Sequence, residues 1–282
     1  MSDALMIYAR ERAPHLADPA REAWSIEALA PFWGDQPVSA IKGETCRRYV
    51  ISRGAVSAGT TRRELATLSA ALGYCVKEGY LLSAPKVSLP KKPPARDRWL
   101  TRSEAARLLW AARRTPHLAR FILIALYTGS RSEVIRELQW LPSMTGGHVD
   151  LERGLIYRKS AAETETNKRA PTVRLPRKLL NHLRRWRGTT RRWLVEWDGK
   201  PIQSLKRTWK AARARAGLDA AVTPHVLRHT AITWAMQAGA RPADVCSFFG
   251  VTMRVVETVY WHHSPDAQAS VLDHLNRPQS GA

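Results

Sequence analysis

Cysteine is scarce in this sequence, acidic residues are outnumbered by basic ones, and long hydrophobic runs are missing. Each shortage removes a class of protein. Of 282 residues three are cysteines, Cys46, Cys75 and Cys246, far apart and without a CxxC pair. That excludes a disulfide framework or a zinc ribbon and suits a reducing cytoplasm. The longest purely apolar stretch, Phe121 to Tyr127, has seven residues, whereas a membrane helix needs roughly 20. No basic-then-apolar secretory start stands at the N-terminus. Asp and Glu number 24 against 45 Lys and Arg, leaving a net charge of +21. Apolar residues still make up 44%, enough to build cores, so the chain is not a disordered basic tail. A folded chain with this cationic excess most often meets a polyanion, and nucleic acid is the commonest one.

The length suits two domains, and the charge is divided unevenly between them. Residues 1–95 hold 13 Lys/Arg and nine Asp/Glu, while residues 96–282 hold 32 and 15. Between them lie Pro85, Pro90, Pro93 and Pro94, which remove backbone donors and bias the preceding residues toward extended forms. The expected organisation is a helical domain over 1–84, a basic Pro-rich linker over 85–98, and a second domain over 99–282. Lys91 and Lys92 in the linker are candidates to follow a phosphate backbone.

Periodicity predicts only helices in the first domain. Glu22 to Trp33 places Trp24, Ile26, Leu29, Ala30 and Trp33 on one face, a second helix covers Gly43 to Ser52, and a third is capped by Thr60 or Thr61 and stopped by Gly79. Arg47-Arg48 and Arg62-Arg63 are basic pairs on these helices and candidate DNA contacts. The second domain opens with a capping box, Thr101-Arg-Ser-Glu104. A helix from His117 to Tyr127 ends at Thr128-Gly129, and another runs from Arg131 to about Trp140. His148–Leu151, Leu155–Arg158 and Thr172–Leu175 read as a small antiparallel sheet with a long polar hairpin before the last strand. Helices then follow from Pro176, from Gln203 to Ala216 and from Thr223, with three short ones reaching Leu275. Trp110, Trp186, Trp209 and Trp234 fall at apolar helical spacings and are expected in cores.

One constellation carries chemistry. His225 and Arg228 lie three residues apart in the first turn of a helix, Arg131 follows a glycine turn, and Tyr260 precedes Trp261-His262-His263. Two planar guanidinium forks can hold a phosphodiester from both sides. A histidine moves protons near neutral pH, and a cationic pocket favours an ionised tyrosine. His225 and His229 have the i, i+4 spacing of a metal pair, but Val226 stands where HExxH has glutamate, so no metal is expected.

These residues resemble the tyrosine recombinases, or phage-type integrases. Tyr127-Thr-Gly-Ser-Arg131, continuing to Leu138-Gln-Trp140, is similar to the family's first arginine box, and His225-Val-Leu-Arg228-His-Thr230 to its second. Phe249-Gly250 followed by Thr258-Val-Tyr260-Trp-His262 is similar to the box that holds the nucleophilic tyrosine. The resemblance spans nearly all of residues 20–275. It implies a mainly α fold with a small antiparallel sheet: a helical core-site-binding (SAM-like) domain and an α+β catalytic domain, closing round double-stranded DNA. It further implies that Tyr260 attacks the scissile phosphate to give a 3′-phosphotyrosyl intermediate, that Arg131 and Arg228 hold its non-bridging oxygens, and that His225 assists proton transfer. A hairpin lysine serves the leaving 5′-oxygen; Lys168 in Thr166-Asn-Lys-Arg169 is the matching residue, with Lys159 at the other end of the hairpin as second choice. No cofactor is needed, and the partners implied are DNA, three further copies on paired sites, and DNA-bending or excisionase accessory proteins, in the cytoplasm and not at a membrane.

Three positions depart from that pattern. Val251 stands where the family usually has His or Trp, and losing one such donor typically costs ~10²–10³ in rate; His262, or His263 beside it, is the auxiliary candidate to replace it. Val134 stands at the usual acidic position, with Glu133 one place earlier. About twenty residues precede the core-binding domain where many integrases carry an arm-binding domain, which suggests either no arm sites or a shortened, decayed integrase with those residues as a remnant. Two other classes follow: a DNA-binding relic that has lost catalysis, and a type IB topoisomerase, which shares the chemistry without choosing a site.

Overall fold

Helix boundaries in this chain follow from caps and breakers written into it. In the computed structural model, which describes residues 1–93, 98–160, 162 and 169–263, the chain forms two units, Met1–Ala95 and Arg96–Ala282.

The first unit is built from α1 (Ser2–Glu11), α2 (Pro19–Trp33), α3 (Gly43–Ser52) and α4 (Ala58–Lys77). Asp18 caps α2 by accepting from the Arg21 amide, and Ser57 caps α4 by accepting from that of Thr60. The α4 cap therefore lies three residues before the earlier of the two threonines expected to provide it. Leu29, Trp33, Tyr49, Leu65, Leu68 and Leu72 form the core, joined by Leu5 and Tyr8 of α1, a helix that the apolar pattern does not announce. Trp24 is a correction: it is 68% exposed, because the buried line of α2 runs through Ser25, Leu29 and Trp33, about 100° away per residue. Val87 also enters this core, and the Arg62 guanidinium donates to the Pro90 carbonyl, so this part of the Pro-rich segment is packed rather than a free tether.

The second unit begins with α5 (Arg102–Ala112), whose capping box is complete: the Thr101 hydroxyl accepts from the Glu104 amide and the Glu104 carboxylate from that of Thr101. Next come α6 (Pro116–Thr128) and α7 (Ser132–Glu137). The sheet is antiparallel in the order β1 (His148–Asp150), β2 (Leu155–Tyr157), β3 (Val173–Arg174), with Val149 opposite Ile156 and Ile156 opposite Val173. After α8 (Arg177–Arg187) a hairpin of β4 (Glu196–Trp197) and β5 (Lys200–Pro201) leads to α9 (Lys206–Arg215). Finally α10 (Val226–Gln237), α11 (Pro242–Phe249) and the short α12 (Met253–Val255) run into a π-helical turn, Val256–Tyr260, and a 3₁₀ turn, Trp261–His263. Phe121, Ile122 and Ile124 of α6 are fully buried, and α6 packs against α10.

Several expectations are corrected. The helix expected to reach Trp140 ends at Glu137, because Gln139 leaves it to bridge His148 and Trp193. The β4–β5 hairpin was not expected; its turn is Asp198-Gly199, both at positive φ (49° and 70°), a dipeptide suited to such turns. Trp110 is 68% exposed, stacked under the Arg113 guanidinium rather than placed in a core. The helix expected from Thr223 begins at Val226, after a turn closed by Val226 N–H to the Thr223 carbonyl, and that expected from Gln203 begins at Lys206. The segment to Leu275 lies beyond the described residues. Among the described residues no helix is long and apolar enough to cross a membrane.

Candidate active site

Glycine closes α6 and sets the first arginine in place. Gly129 adopts φ +58°, and a Cβ there would stand 2.4 Å from the Phe249 ring, so no other residue fits without displacement. The Thr128 hydroxyl locks the turn, donating to the Ile124 carbonyl (2.7 Å) and lying 2.8 Å from the Ser130 hydroxyl, which can donate to it. Arg131 then precedes α7 in an extended conformation, half-buried, with Nη1 donating to the Arg169 carbonyl at 2.8 Å.

The second arginine comes from α10. Arg228 is 7% exposed, and its two terminal nitrogens donate to the carbonyls of Gly129 and Phe249, each at 2.6 Å. It thereby ties the end of α6 to the end of α11. Gly250 ends α11 at φ +63°, where a Cβ would lie 2.7 Å from both the Arg169 carbonyl and Pro171 Cδ.

Sequence reasoning missed a third guanidinium. Arg158 follows β2 and is 4% exposed; Nη1 donates to the Phe248 carbonyl (2.7 Å) and Nη2 to that of Thr128 (2.6 Å), while Nε is buried without a partner. The signal was strand parity: Arg158 shares the inward face with Ile156, and an arginine pointing into a core needs a reason. Among the described residues no carboxylate pairs with Arg131, Arg158 or Arg228. Burial, then the charges of Arg228 and Arg131, pushes the Arg158 pKa down to about 9. Burial and Arg131 push that of Arg228 down to about 10. The result is an electropositive cluster with no carboxylate partner among the described residues.

His225 lies at the N-terminal entry of α10, exposed at its edge, and desolvation followed by the Arg228 and Arg131 charges lowers its pKa. Its ring meets that of His229 edge-on, with centroids 4.8 Å apart. Tyr260, at the end of the π-helical turn, is 3% exposed, and its hydroxyl lies 2.6 Å from His229 Nδ1. Its ring packs in a cluster with Ala231, Ile232, Phe249 and Val256.

The structure thus brings Arg131, His225, Arg228 and Tyr260 together. Lys168 lies outside the described residues, and Lys159 is half-buried beside Arg158. His262 is exposed; Val251 is half-buried against the Tyr260 cluster, its amide donating to the Cys246 carbonyl at 3.3 Å. Glu133 is exposed. In the first unit Arg47, Arg48, Arg63, Lys91 and Lys92 are exposed, whereas Arg62 is engaged with Pro90.

Comparison with known proteins bears on the family and the fold. The model described as "Phage integrase family" matches residues 98–266. The integrase of Salmonella phage P22 is 27% identical over 227 residues, which cover 73% of this chain and 56% of that protein, so the chain spans little more than half the length of this curated relative. The Tn1549 transposon integrase, solved in complex with transposon right end DNA, superposes with a TM-score of 0.72 at 16% identity, covering 98% of this chain and 100% of that one. Lambda integrase, solved as a tetramer bound to a Holliday junction, gives 0.68 at 18% identity, covering 88% of this chain and 76% of that one. These two share its fold. With its three boxes converging on one cationic pocket and the family match covering most of the second unit, the chain belongs to the phage integrase family.

Proposed function

We propose that the chain is a site-specific DNA recombinase that cuts and rejoins strands through a 3′-phosphotyrosyl intermediate, on behalf of a prophage or other mobile element. The observation that carries this is the set of guanidinium groups, Arg131, Arg158 and Arg228, gathered without a carboxylate among the described residues beside the Tyr260–His229 pair. A pocket of that kind costs free energy until an anion enters, and a phosphodiester supplies one with two acceptor oxygens for planar forks.

In this reading Arg131 and Arg228 hold the non-bridging oxygens and stabilise the charge of the transition state. Tyr260 Oη gives up its proton to a neighbouring imidazole and attacks phosphorus, the P–O5′ bond breaks, and the leaving 5′-oxygen takes a proton from Lys168, with Lys159 as second choice and His225 assisting proton transfer. The phosphotyrosyl ester keeps the energy of the phosphodiester, so a 5′-hydroxyl from another strand reverses the step. Arg47, Arg48, Arg63, Lys91 and Lys92 are the candidate backbone contacts of the first unit, their work sequence-independent and salt-sensitive. Four copies acting on two paired sites complete the exchange, on the cytoplasmic nucleoid, with accessory bending or excisionase proteins; the tetrameric state of lambda integrase supports the stoichiometry.

The test is a nicked duplex carrying the element's own junction, incubated with wild type and Tyr260→Phe and resolved on denaturing gels. A protein-linked band in wild type that disappears in the variant is expected. Retarded DNA on native gels without any covalent band would make the protein a binding module on an inherited catalytic fold, a reading that Val251 favours because it cannot donate to the phosphate. Adducts formed equally on unrelated duplexes would point instead to a type IB topoisomerase.

A further inference from the structure

We propose that His229, not His225, is the base for the nucleophile: its Nδ1 takes the Tyr260 proton during cleavage and returns it during religation. This rests on the strand-transferase reading and adds a catalytic residue to it. The sequence marked His229 only as the i+4 neighbour of His225.

The geometry is direct. Tyr260 Oη and His229 Nδ1 are 2.6 Å apart, within the range in which a proton passes from phenol to imidazole without rearrangement. The rings are tilted by 35° with centroids 5.8 Å apart, so the imidazole edge, and not its face, meets the hydroxyl. His225 stands at the N-cap of α10, its ring edge-on to that of His229 with centroids 4.8 Å apart, and the Arg228 and Arg131 charges act on it. One turn of α10 therefore presents two imidazoles with separate tasks, one towards the arginines and one towards the attacking oxygen.

Both partners are held by packing. His229 sits in the first turn of α10, and Tyr260 ends the π-helical turn whose Val256 is fully buried against Ala231 and Ile232 of the same helix. Single π turns are frequent at functional sites, where the extra residue re-aims a side chain. Among the described residues, Arg228 on α10 interacts electrostatically with Tyr260, and the titratable ring of His225 meets that of His229 edge-on. A phenol with an ordinary pKa near 10 is almost wholly protonated at neutral pH, so attack requires an acceptor for its proton.

The step balances. The Oη–H bond breaks and the proton moves to Nδ1, which needs the neutral tautomer with hydrogen on Nε2. The Oη–P bond forms, P–O5′ breaks, and a separate acid protonates the 5′-oxygen. In religation the 5′-oxygen attacks phosphorus, P–Oη breaks, and the departing phenolate recovers its proton from Nδ1.

The test measures single-turnover adduct formation by wild type, His229→Asn and His229→Gln on a nicked duplex. One substrate has the normal 5′-oxygen leaving group and one a bridging 5′-sulfur, whose thiolate leaves without a proton. Asparagine keeps an acceptor near the Nδ1 position but cannot take a proton. The expected result is unchanged retardation of duplex on native gels, adduct formation slowed about 100-fold or more, loss of the wild-type rise in rate between pH 5.5 and 7.5, and no rescue by sulfur. Rescue by sulfur would place His229 on the leaving-group side and overturn the assignment. Wild-type rates and pH profile in either duplex-binding variant would overturn it too, while leaving the strand-transferase reading intact. A flat wild-type profile across that range would overturn it even if neither variant folds. No Tyr260-dependent adduct from wild type would sink the strand-transferase reading, and this inference with it.

Discussion

Replacing Arg158 with methionine separates a strained, anion-seeking guanidinium from a structural strut. The side chain is 4% exposed with its pKa pushed down to about 9. At neutral pH the group stays charged, so that depression is a free-energy cost, on the order of 4–5 kcal/mol at 1.36 kcal/mol per unit. Against it stand the hydrogen bonds to the Phe248 and Thr128 carbonyls, worth about 1.5–3 kcal/mol each when the donor is charged. Methionine removes the cost and the bonds together, and the two nearly cancel. Urea unfolding of the free protein at pH 7 should therefore change by less than about 2 kcal/mol, although two buried carbonyls lose their donors. Sulfate added at constant ionic strength should then discriminate. An anion in the pocket at ten times its dissociation constant stabilises wild type by about 1.4 kcal/mol, and Arg158→Met should keep less than half of that. A loss beyond about 3 kcal/mol in plain buffer, with equal sulfate effects on both proteins, would refute the reasoning and make Arg158 an ordinary brace between α6 and α11.

Other perturbations follow from the same contacts. Gly129→Ala forces an L-residue to φ +58° and drives a methyl into the Phe249 ring at 2.4 Å. The expected loss is about 2–5 kcal/mol in urea melts, combining the left-handed penalty with overpacking. His225 has a lowered pKa in the folded chain, so the unfolded chain binds that proton more readily. Its stability contribution is complete above the ordinary value of 6.5 and is lost as pH falls below it, and unfolding of His225→Gln between pH 7 and 5 should show a shallower decline. A bound phosphate opposes that lowering, so duplex affinity at matched salt should rise from pH 7.5 to 6 in wild type and stay level in His225→Gln. Thr101→Ala removes the α5 cap and should cost about 1 kcal/mol, read as a fall in the urea midpoint with no change in slope.

Much of the fold was legible because its signals are local. The capping box at Thr101–Glu104 and the αL glycine after Thr128 each concern a few consecutive residues whose own chemistry decides the outcome. What failed depended on partners distant in sequence. Trp24 and Trp110 fit an apolar pattern but lie just off the buried line of their helices, since a face is fixed by what packs on it. The end of α7 at Glu137 is set by Gln139 pairing with His148 and Trp193, contacts that no helical period records.

The active site divides along the same line. Boxes of sequence named Arg131, His225, Arg228 and Tyr260, because each is embedded in a turn or helix end with a recognisable local form. They did not indicate what each group touches. That the Tyr260 hydroxyl meets the second histidine of its box and not the first follows from where the π-helical turn lays its ring against Ala231 and Ile232. Arg158 was concealed for the opposite reason: it belongs to no box, and only the pairing of β2 with β1 and β3 turns it inward with Ile156. Once inward, it meets the carbonyls of Thr128 and Phe248, each adjacent in sequence to one that Arg228 holds. Two cations on neighbouring carbonyls, with no carboxylate between them among the described residues, brace chain ends that turn at Gly129 and Gly250, both at positive φ. The same backbone geometry that lets α6 and α11 meet so closely therefore holds the charge that a phosphodiester would neutralise.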